Sequence, residues 1–102
     1  MNKITITEND KKRFSEFSLD GGVMDTTNTI KFLYYCAELA LEQGLNYDTD
    51  HEAVGEIVKD LMDYAQMVED DKETNYWKIA ECPMSASNIH LTAMTEKEYR
   101  EA

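Results

Sequence analysis

The sequence predicts an α+β fold in which a sheet of two or three strands packs against three helices. Apolar residues recur at helical spacing through the middle of the chain, and short alternating or β-branched segments lie near both ends. The chain has 102 residues, of which 42% are hydrophobic and 30% charged, as expected for one domain with a small core. We therefore interpret residues 1–102 as a single acidic domain whose sheet combines an N-terminal strand and a C-terminal hairpin.

The N-terminal part of the chain predicts a strand followed by a short helix. Residues 3–7, with the sequence KITIT, alternate polar and apolar side chains as a half-buried strand does. Thr7 can then cap a helix that has Asp10 in its first turn. Because Asp20, Gly21 and Gly22 form a turn signal, we expect the helix to end in a turn at these residues.

A second helix is predicted over residues 30–43. Asp25, Thr26 and Thr27 are candidate N-cap residues, and Gly44 stands where a left-handed residue commonly ends a helix. Most of the helix circumference is apolar, and its polar residues form one narrow strip of Lys31, Glu38 and Glu42. We expect this helix to be the centre of the fold or a homodimer interface.

The third and longest helix is predicted over residues 50–69. Thr49 and Glu52 have the spacing of a capping box. Helical spacing of about 100° per residue places Val54, Ile57, Val58, Leu61, Ala65 and Val68 on one face and acidic residues on the opposite face.

The C-terminal part of the chain predicts a hairpin and a short helix. Residues 76–82 have the composition of a strand that must end at Pro83, and residues 88–94 that of a second strand. Thr95 and Glu98 have capping-box spacing, so we expect a last short helix to extend to Ala102.

Negative charge is concentrated in the middle of the chain. Residues 1–31 carry five basic and five acidic side chains, residues 32–75 carry two basic and twelve acidic, and residues 76–102 carry three and four. The net charge of -11 argues against direct binding of nucleic acid, which depends on Lys and Arg clusters. It favours a basic protein surface as the partner, although an acidic surface also serves solubility alone.

The motifs of common enzymes and metal sites are incomplete in this sequence. His51 and Glu52 begin like a zinc-protease helix, but Gly55 occupies the position of the second histidine. A calcium loop starting at Asp48 would need a bidentate acid where Lys59 stands. Neither a nucleophile with a recognisable base nor a glycine-rich phosphate loop is present. We therefore expect a protein without enzymatic activity, cofactor or metal.

Two acidic segments resemble part of a known enzyme family. Ala37-Glu38-Leu39-Ala40 and the segment of residues 56–64 resemble the paired helices of MazG-type nucleotide pyrophosphohydrolases. The resemblance implies magnesium-dependent hydrolysis of nucleoside triphosphates, with acids of both helices converging on the metal. The sequence departs from the pattern where Tyr34 and Ile57 replace acids and where two strands are predicted. This enzyme is the alternative to a binding protein.

The acidic face of the third helix is the candidate binding site. Carboxylates spaced by three or four residues follow one another about every 4.5–6 Å along a helix and can imitate the phosphates of a duplex, about 3.4 Å apart along each strand. We predict an inhibitor or regulator of a nucleic-acid-handling protein, analogous as a class to the anti-restriction and anti-CRISPR proteins of phages. The candidate partner-binding residues are Tyr47, Asp48, Asp50, Glu52, Glu56, Asp60, Asp63 and Asp70.

The compartment is predicted from what the sequence lacks. No stretch approaches the roughly 20 apolar residues of a membrane span, and the first residues lack the apolar run of a signal peptide. Cys36 and Cys82 are far apart and form no paired motif, which favours reduced thiols. We expect the protein to act in the cytoplasm.

Overall fold

The computed structural model describes residues 5–46, 51–82 and 87–101, and its α+β architecture confirms the predicted fold class. The described chain contains α1 (Glu8–Ser15), β1 (Asp20–Asp25), α2 (Thr26–Asn46), α3 (His51–Asp70), β2 (Tyr76–Glu81), β3 (Ile89–Met94) and α4 (Glu96–Glu101). The last helix is the short C-terminal one that the sequence predicted. Within these described ranges, no helix is long and apolar enough to cross a membrane.

The three strands form an antiparallel sheet in the order β1-β2-β3. As predicted, the sheet combines a strand from the N-terminal part of the chain with a C-terminal hairpin, β2-β3. Met24 of β1 lies opposite Trp77 of β2, which in turn lies opposite Ala93 of β3. Since β2 is central, β1 and β3 are the two edge strands.

The position of the first strand differs from the prediction. Residues 1–4 lie outside the described chain, and residues 5–7 form no strand. The sheet instead uses Asp20–Asp25, where we expected a turn. Gly21 has a φ of 85°, and the pairing register shifts between Asp20 and Gly22, so the glycines form a bulge within β1. Glycine marks bulges as well as turns, and pairing with β2 decides between them.

The core lies between one face of the sheet and the helices. Side chains alternate along β2, so that Trp77 and Ile79 are buried while Lys78 is exposed. Leu33 of α2 and Leu61 of α3 complete the centre of this core, each at 1% exposure or less. Helices α1, α2 and α3 therefore cover one face of the sheet, as predicted.

Helix α2 is the central element of the fold. It contacts α1 on one side and α3 on the other, and it packs under β1 and β2. A groove is lined jointly by Ile57 and Leu61 of α3 and by Ile89 of β3, which places α3 on the β3 side of the helical layer. The predicted central position of this helix is confirmed.

Gly44 has a different role from the predicted one. Helix α2 continues through Gly44 to Asn46, and Gly44 has no positive φ, so it is not a left-handed terminal residue. A Cβ atom at this position would lie 2.5 Å from Cγ2 of Val54. Glycine is therefore required here because α2 and α3 approach closely.

Helix α1 is attached to α2 through a buried carboxylate. Asp10 accepts the backbone N–H of Thr7 at 3.1 Å, and Thr7 Oγ1 accepts the N–H of Asp10, which completes the predicted N-terminal cap. Arg13 lies 2.6 Å from the same carboxylate and Lys31 of α2 lies 3.7 Å from it. The backbone hydrogen bond from Thr7, the bond from Arg13 and the charge of Lys31 lower the pKa of Asp10 to about 2.

Helix α4 is fixed at its start and along one side. Thr95 Oγ1 accepts the N–H of Glu98, and the Glu98 carboxylate accepts the N–H of Thr95, as the predicted capping box requires. The rings of Tyr99 and Tyr76 are stacked with centroids 3.9 Å apart. Because Tyr76 belongs to β2 and its neighbour Trp77 faces the core, this stack holds α4 against the outer face of the sheet.

Candidate protein-binding face

The candidate site is the side of α3 that points away from the core. Val54, Leu61, Ala65 and Val68 are buried at 8% exposure or less. Their helical spacing leaves the opposite side to acidic residues, which we call the acidic face and define as Glu52, Glu56, Asp60, Asp63 and Asp70. The sequence predicted this division of α3 correctly because the apolar period persists over five turns of helix.

Four carboxylates of the acidic face are exposed and one is not. Glu52, Glu56, Asp63 and Asp70 are exposed, whereas Asp60 is half-buried. Successive positions from Glu52 to Asp63 rise by about 4.5–6 Å along the helix axis. A row of negative charge therefore faces solvent, with Asp60 at the border between this row and the packed side of α3.

The single lysine of α3 offsets little of the negative charge of this row. Lys59 Nζ lies 3.1 Å from Asp63 Oδ2, and the two side chains are 79% and 64% exposed. Such an exposed pair contributes only about 0.3–0.5 kcal/mol, and Lys59 is the sole Lys or Arg in α3. Gln66 donates a hydrogen bond of 2.8 Å to Asp70. The face keeps a strongly negative potential.

An exposed methionine lies within the acidic face. Met67 is 43% exposed, and its helical position falls between those of Glu56 and Asp60. Methionine supplies adaptable apolar contact area at protein interfaces. Met67 was not among the predicted partner-binding residues, although its spacing of seven from Asp60 places it on the same side of the helix.

The acidic segment after α3 is only partly available for binding a partner, because Asp71 is used within the turn. Asp71 accepts hydrogen bonds from the N–H groups of Glu73 and Thr74, both at 3.0 Å, and from the Thr74 hydroxyl at 2.8 Å. These bonds, first that of the Thr74 hydroxyl, lower the pKa of Asp71. Asp71 thus holds the turn between α3 and β2, and the acidic row ends at Asp70.

Three predicted partner-binding residues lie outside the described chain. Tyr47, Asp48 and Asp50 belong to residues 47–50, as does Thr49 of the expected capping box. Their role in partner binding remains a prediction. Tyr35 is half-buried, and its ring centroid lies 5.7 Å from that of Phe14, so it contributes to the α1–α2 contact.

The acids that would serve a pyrophosphohydrolase are not brought together. Glu38 lines a small cavity with Lys11 and Tyr35, on the α1 side of α2. Asp60 belongs to α3 and lies at the border of its acidic face. Among the described residues, no three His, Cys, Asp or Glu side chains form a group that could hold a metal ion.

The half-buried cysteine of α2 has the properties of a packing residue. Cys36 lies among apolar side chains of α2 and α3, and burial raises the pKa of its thiol to about 12. Because the thiolate is the nucleophilic form, this thiol is poorly suited to covalent chemistry at neutral pH.

The structure also shows β3 as an edge strand of the sheet, a position that was not predicted from the sequence. Strand β3 contains no Asp, Glu, Lys or Arg, in a chain with 30% charged residues. This absence of charge is visible in the sequence, but the exposure of the edge depends on the strand order.

The chain matches no model of a known protein family, and neither curated proteins nor solved structures give a match.

Proposed function

We propose that this protein binds the basic surface of a nucleic-acid-handling protein through the acidic face of α3 and thereby inhibits or regulates it. The supporting observation is the separation of charge on one helix: exposed carboxylates on one side and a buried apolar face on the other. A helix with evenly mixed surface charge would be equally soluble, so a row of five carboxylates with Lys59 as the sole basic residue of α3 favours binding.

The acidic face provides two kinds of contact. Its carboxylates attract a basic groove over a distance of about 8–10 Å at physiological salt and accelerate association. Met67 then supplies apolar contact once water is excluded between the surfaces. The proposed action is stoichiometric, because the protein occupies the site of the nucleic acid instead of modifying the partner or its ligand. Its proposed compartment is the cytoplasm.

The test is affinity capture from host lysate with matched charge variants. Glu56 and Asp63 are both exposed, so Glu56→Lys with Asp63→Lys changes the acidic face without removing a core contact. Glu16→Lys with Glu101→Lys makes the same change in net charge at exposed positions of other elements. We avoid Asp60 because it is half-buried.

The expected result is that the parent and the Glu16/Glu101 control capture the same nucleic-acid-handling protein, and the Glu56/Asp63 variant does not. Duplex DNA added at low salt should release the captured protein, because both ligands occupy one basic groove. Equal capture by all three proteins would show that the acidic face does not bind the partner and serves only solubility. Capture that duplex DNA does not displace would exclude nucleic-acid mimicry.

A further inference from the structure

The two edges of the sheet differ in how they are protected from pairing with another strand. Edge strand β1 begins and ends with aspartate and contains the bulge at Gly21, and both features discourage an additional strand. Edge strand β3, with the sequence IHLTAM, has no formal charge, no proline and no register shift in its pairing with β2. Among the described strands, β3 therefore has the less protected edge.

The hydrogen-bond phase of β3 identifies which backbone groups point outward. Cys82 N–H donates to the carbonyl of Asn88 at 3.0 Å. Bonded and non-bonded pairs alternate along an antiparallel ladder. The backbone N–H and C=O groups of His90 and Thr92 therefore bond to β2, while those of Leu91 and Ala93 point away from β2 at the open edge. Within the described part of the chain, the N–H and C=O groups of Leu91 and Ala93 take part in no hydrogen bond.

The surroundings of this edge favour a basic occupant over a second copy of the chain. Ile57 and Leu61 of α3 line one groove with Ile89 of β3, and Asp60 lies about 60° around the helix from Ile57, at the border of the acidic face. A strand added to β3 would direct alternate side chains toward that face. Pairing two copies through β3 would bring two chains of net charge -11 together at their acidic sides.

We propose that the free edge of β3 binds an extended segment of a partner protein as a fourth strand, with Lys or Arg at alternate positions directed toward the acidic face. The aliphatic stems of these residues pack on Leu91, which is half-buried, and on Ala93, which is exposed, while their charged ends reach the α3 carboxylates. This inference rests on the proposed function for the sign of the partner's charge, and it adds the conformation of the bound segment.

The test uses a labelled probe peptide, acetyl-Thr-Lys-Val-Lys-Val-Lys-Thr-amide, and fluorescence anisotropy at low and physiological salt. One control peptide carries a methyl group on the backbone nitrogen of each lysine and each valine, which keeps the charge but removes the N–H donors of the five central residues for either strand direction. A second replaces each lysine with glutamate. We expect the probe to bind at least about tenfold more tightly than either control, since strand addition needs both the backbone bonds and the basic side chains.

Protein variants locate the bound strand. Ala93→Pro removes an N–H that faces the edge without removing a bond to β2, and Ala93→Thr at the same position keeps that N–H. We expect Ala93→Pro to lose binding about tenfold or more relative to Ala93→Thr. In the parent chain, amide hydrogen exchange at Leu91 and Ala93 should slow when the probe is bound, which tests the edge even if the proline variant does not fold.

The outcomes separate this inference from the proposed function. Strand addition would be overturned if Ala93→Pro left binding unchanged and the probe left amide exchange at Leu91 and Ala93 unchanged. If the Glu56→Lys, Asp63→Lys variant lost binding in the same experiments, the acidic face would still be supported. Equal binding of the lysine and glutamate peptides would overturn the basic occupant and weaken the proposed function. A parent dimer in sedimentation that Ala93→Pro converts to monomer would assign the edge to a second copy and overturn the proposal.

Discussion

The close approach of α2 and α3 at Gly44 gives a sharp prediction about stability. In Gly44→Ala the new Cβ atom would lie 2.5 Å from Cγ2 and 3.3 Å from Cγ1 of Val54, well inside the roughly 3.5–4.0 Å of normal carbon contact. Gly55 provides the matched control, because it is an exposed helical glycine whose added Cβ would meet no atom within 4 Å. Both substitutions improve helix propensity, so their difference isolates the steric clash.

The magnitude follows from these two effects. Replacing glycine by alanine in a helix raises the free energy of unfolding by about 0.5–1 kcal/mol, which we expect for Gly55→Ala. Overpacking costs about 1–3 kcal/mol, so Gly44→Ala should have a free energy of unfolding lower than that of Gly55→Ala by about that amount. The two values are measured by urea denaturation followed by circular dichroism, with linear extrapolation to water.

A double-mutant cycle shows whether Val54 is the cause. In a Val54→Ala background the clashing methyl groups are absent, so Gly44→Ala should there be as favourable as Gly55→Ala. If the free energies of unfolding of Gly44→Ala and Gly55→Ala agree within about 0.5 kcal/mol in the parent background, the close approach of Gly44 to Val54 is refuted. An unchanged penalty in the Val54→Ala background would place the clash at another residue.

Three further predictions concern the packing of the remaining elements. The lowered pKa of Asp10 stabilises the fold above the unfolded pKa of 3.8 and loses this effect as pH falls toward 2, so the stability difference between the parent and Asp10→Asn should shrink over that interval in urea titrations at fixed pH. Leu33→Ala, at 0% exposure, should lower the free energy of unfolding by about 2–5 kcal/mol, and a loss below 1 kcal/mol in the same assay would contradict its central position. Tyr99→Ala should remove the stack on Tyr76, lower the free energy of unfolding by about 0.5–1.5 kcal/mol and accelerate amide exchange in α4, whereas unchanged exchange would show that the stack does not hold this helix.

The sequence was most informative where apolar residues recur at helical spacing over many residues. The apolar period of α3 predicted both its buried residues and the exposed acids on the opposite side, because twenty residues sample each face several times. The caps of α1 and α4 were predictable as well, since Thr7 and Thr95 bond to residues only three positions away. Local chemistry suffices for such features.

Features that depend on contacts between distant residues were predicted less well. Gly21 forms a bulge because β1 pairs with a strand more than fifty residues later, and Gly44 fits against Val54 of another helix. Asp60 was grouped with exposed acids, yet it lies at the edge of the packed side of α3. The open edge of β3 follows from the strand order, which residue patterns alone did not determine.

The most direct test of the acidic face is the association kinetics of a captured partner with the Glu56/Asp63 reversal variant and the Glu16/Glu101 control. If each exposed pair contributes about 0.5–1 kcal/mol, converting two attractions to repulsions weakens binding by about 2–4 kcal/mol, or roughly 30- to 1,000-fold at low salt. We predict that most of this loss appears in the association rate, shrinks as salt rises, and is absent from the control. Equal association rates for the reversal variant and the control at low salt would contradict binding through the acidic face.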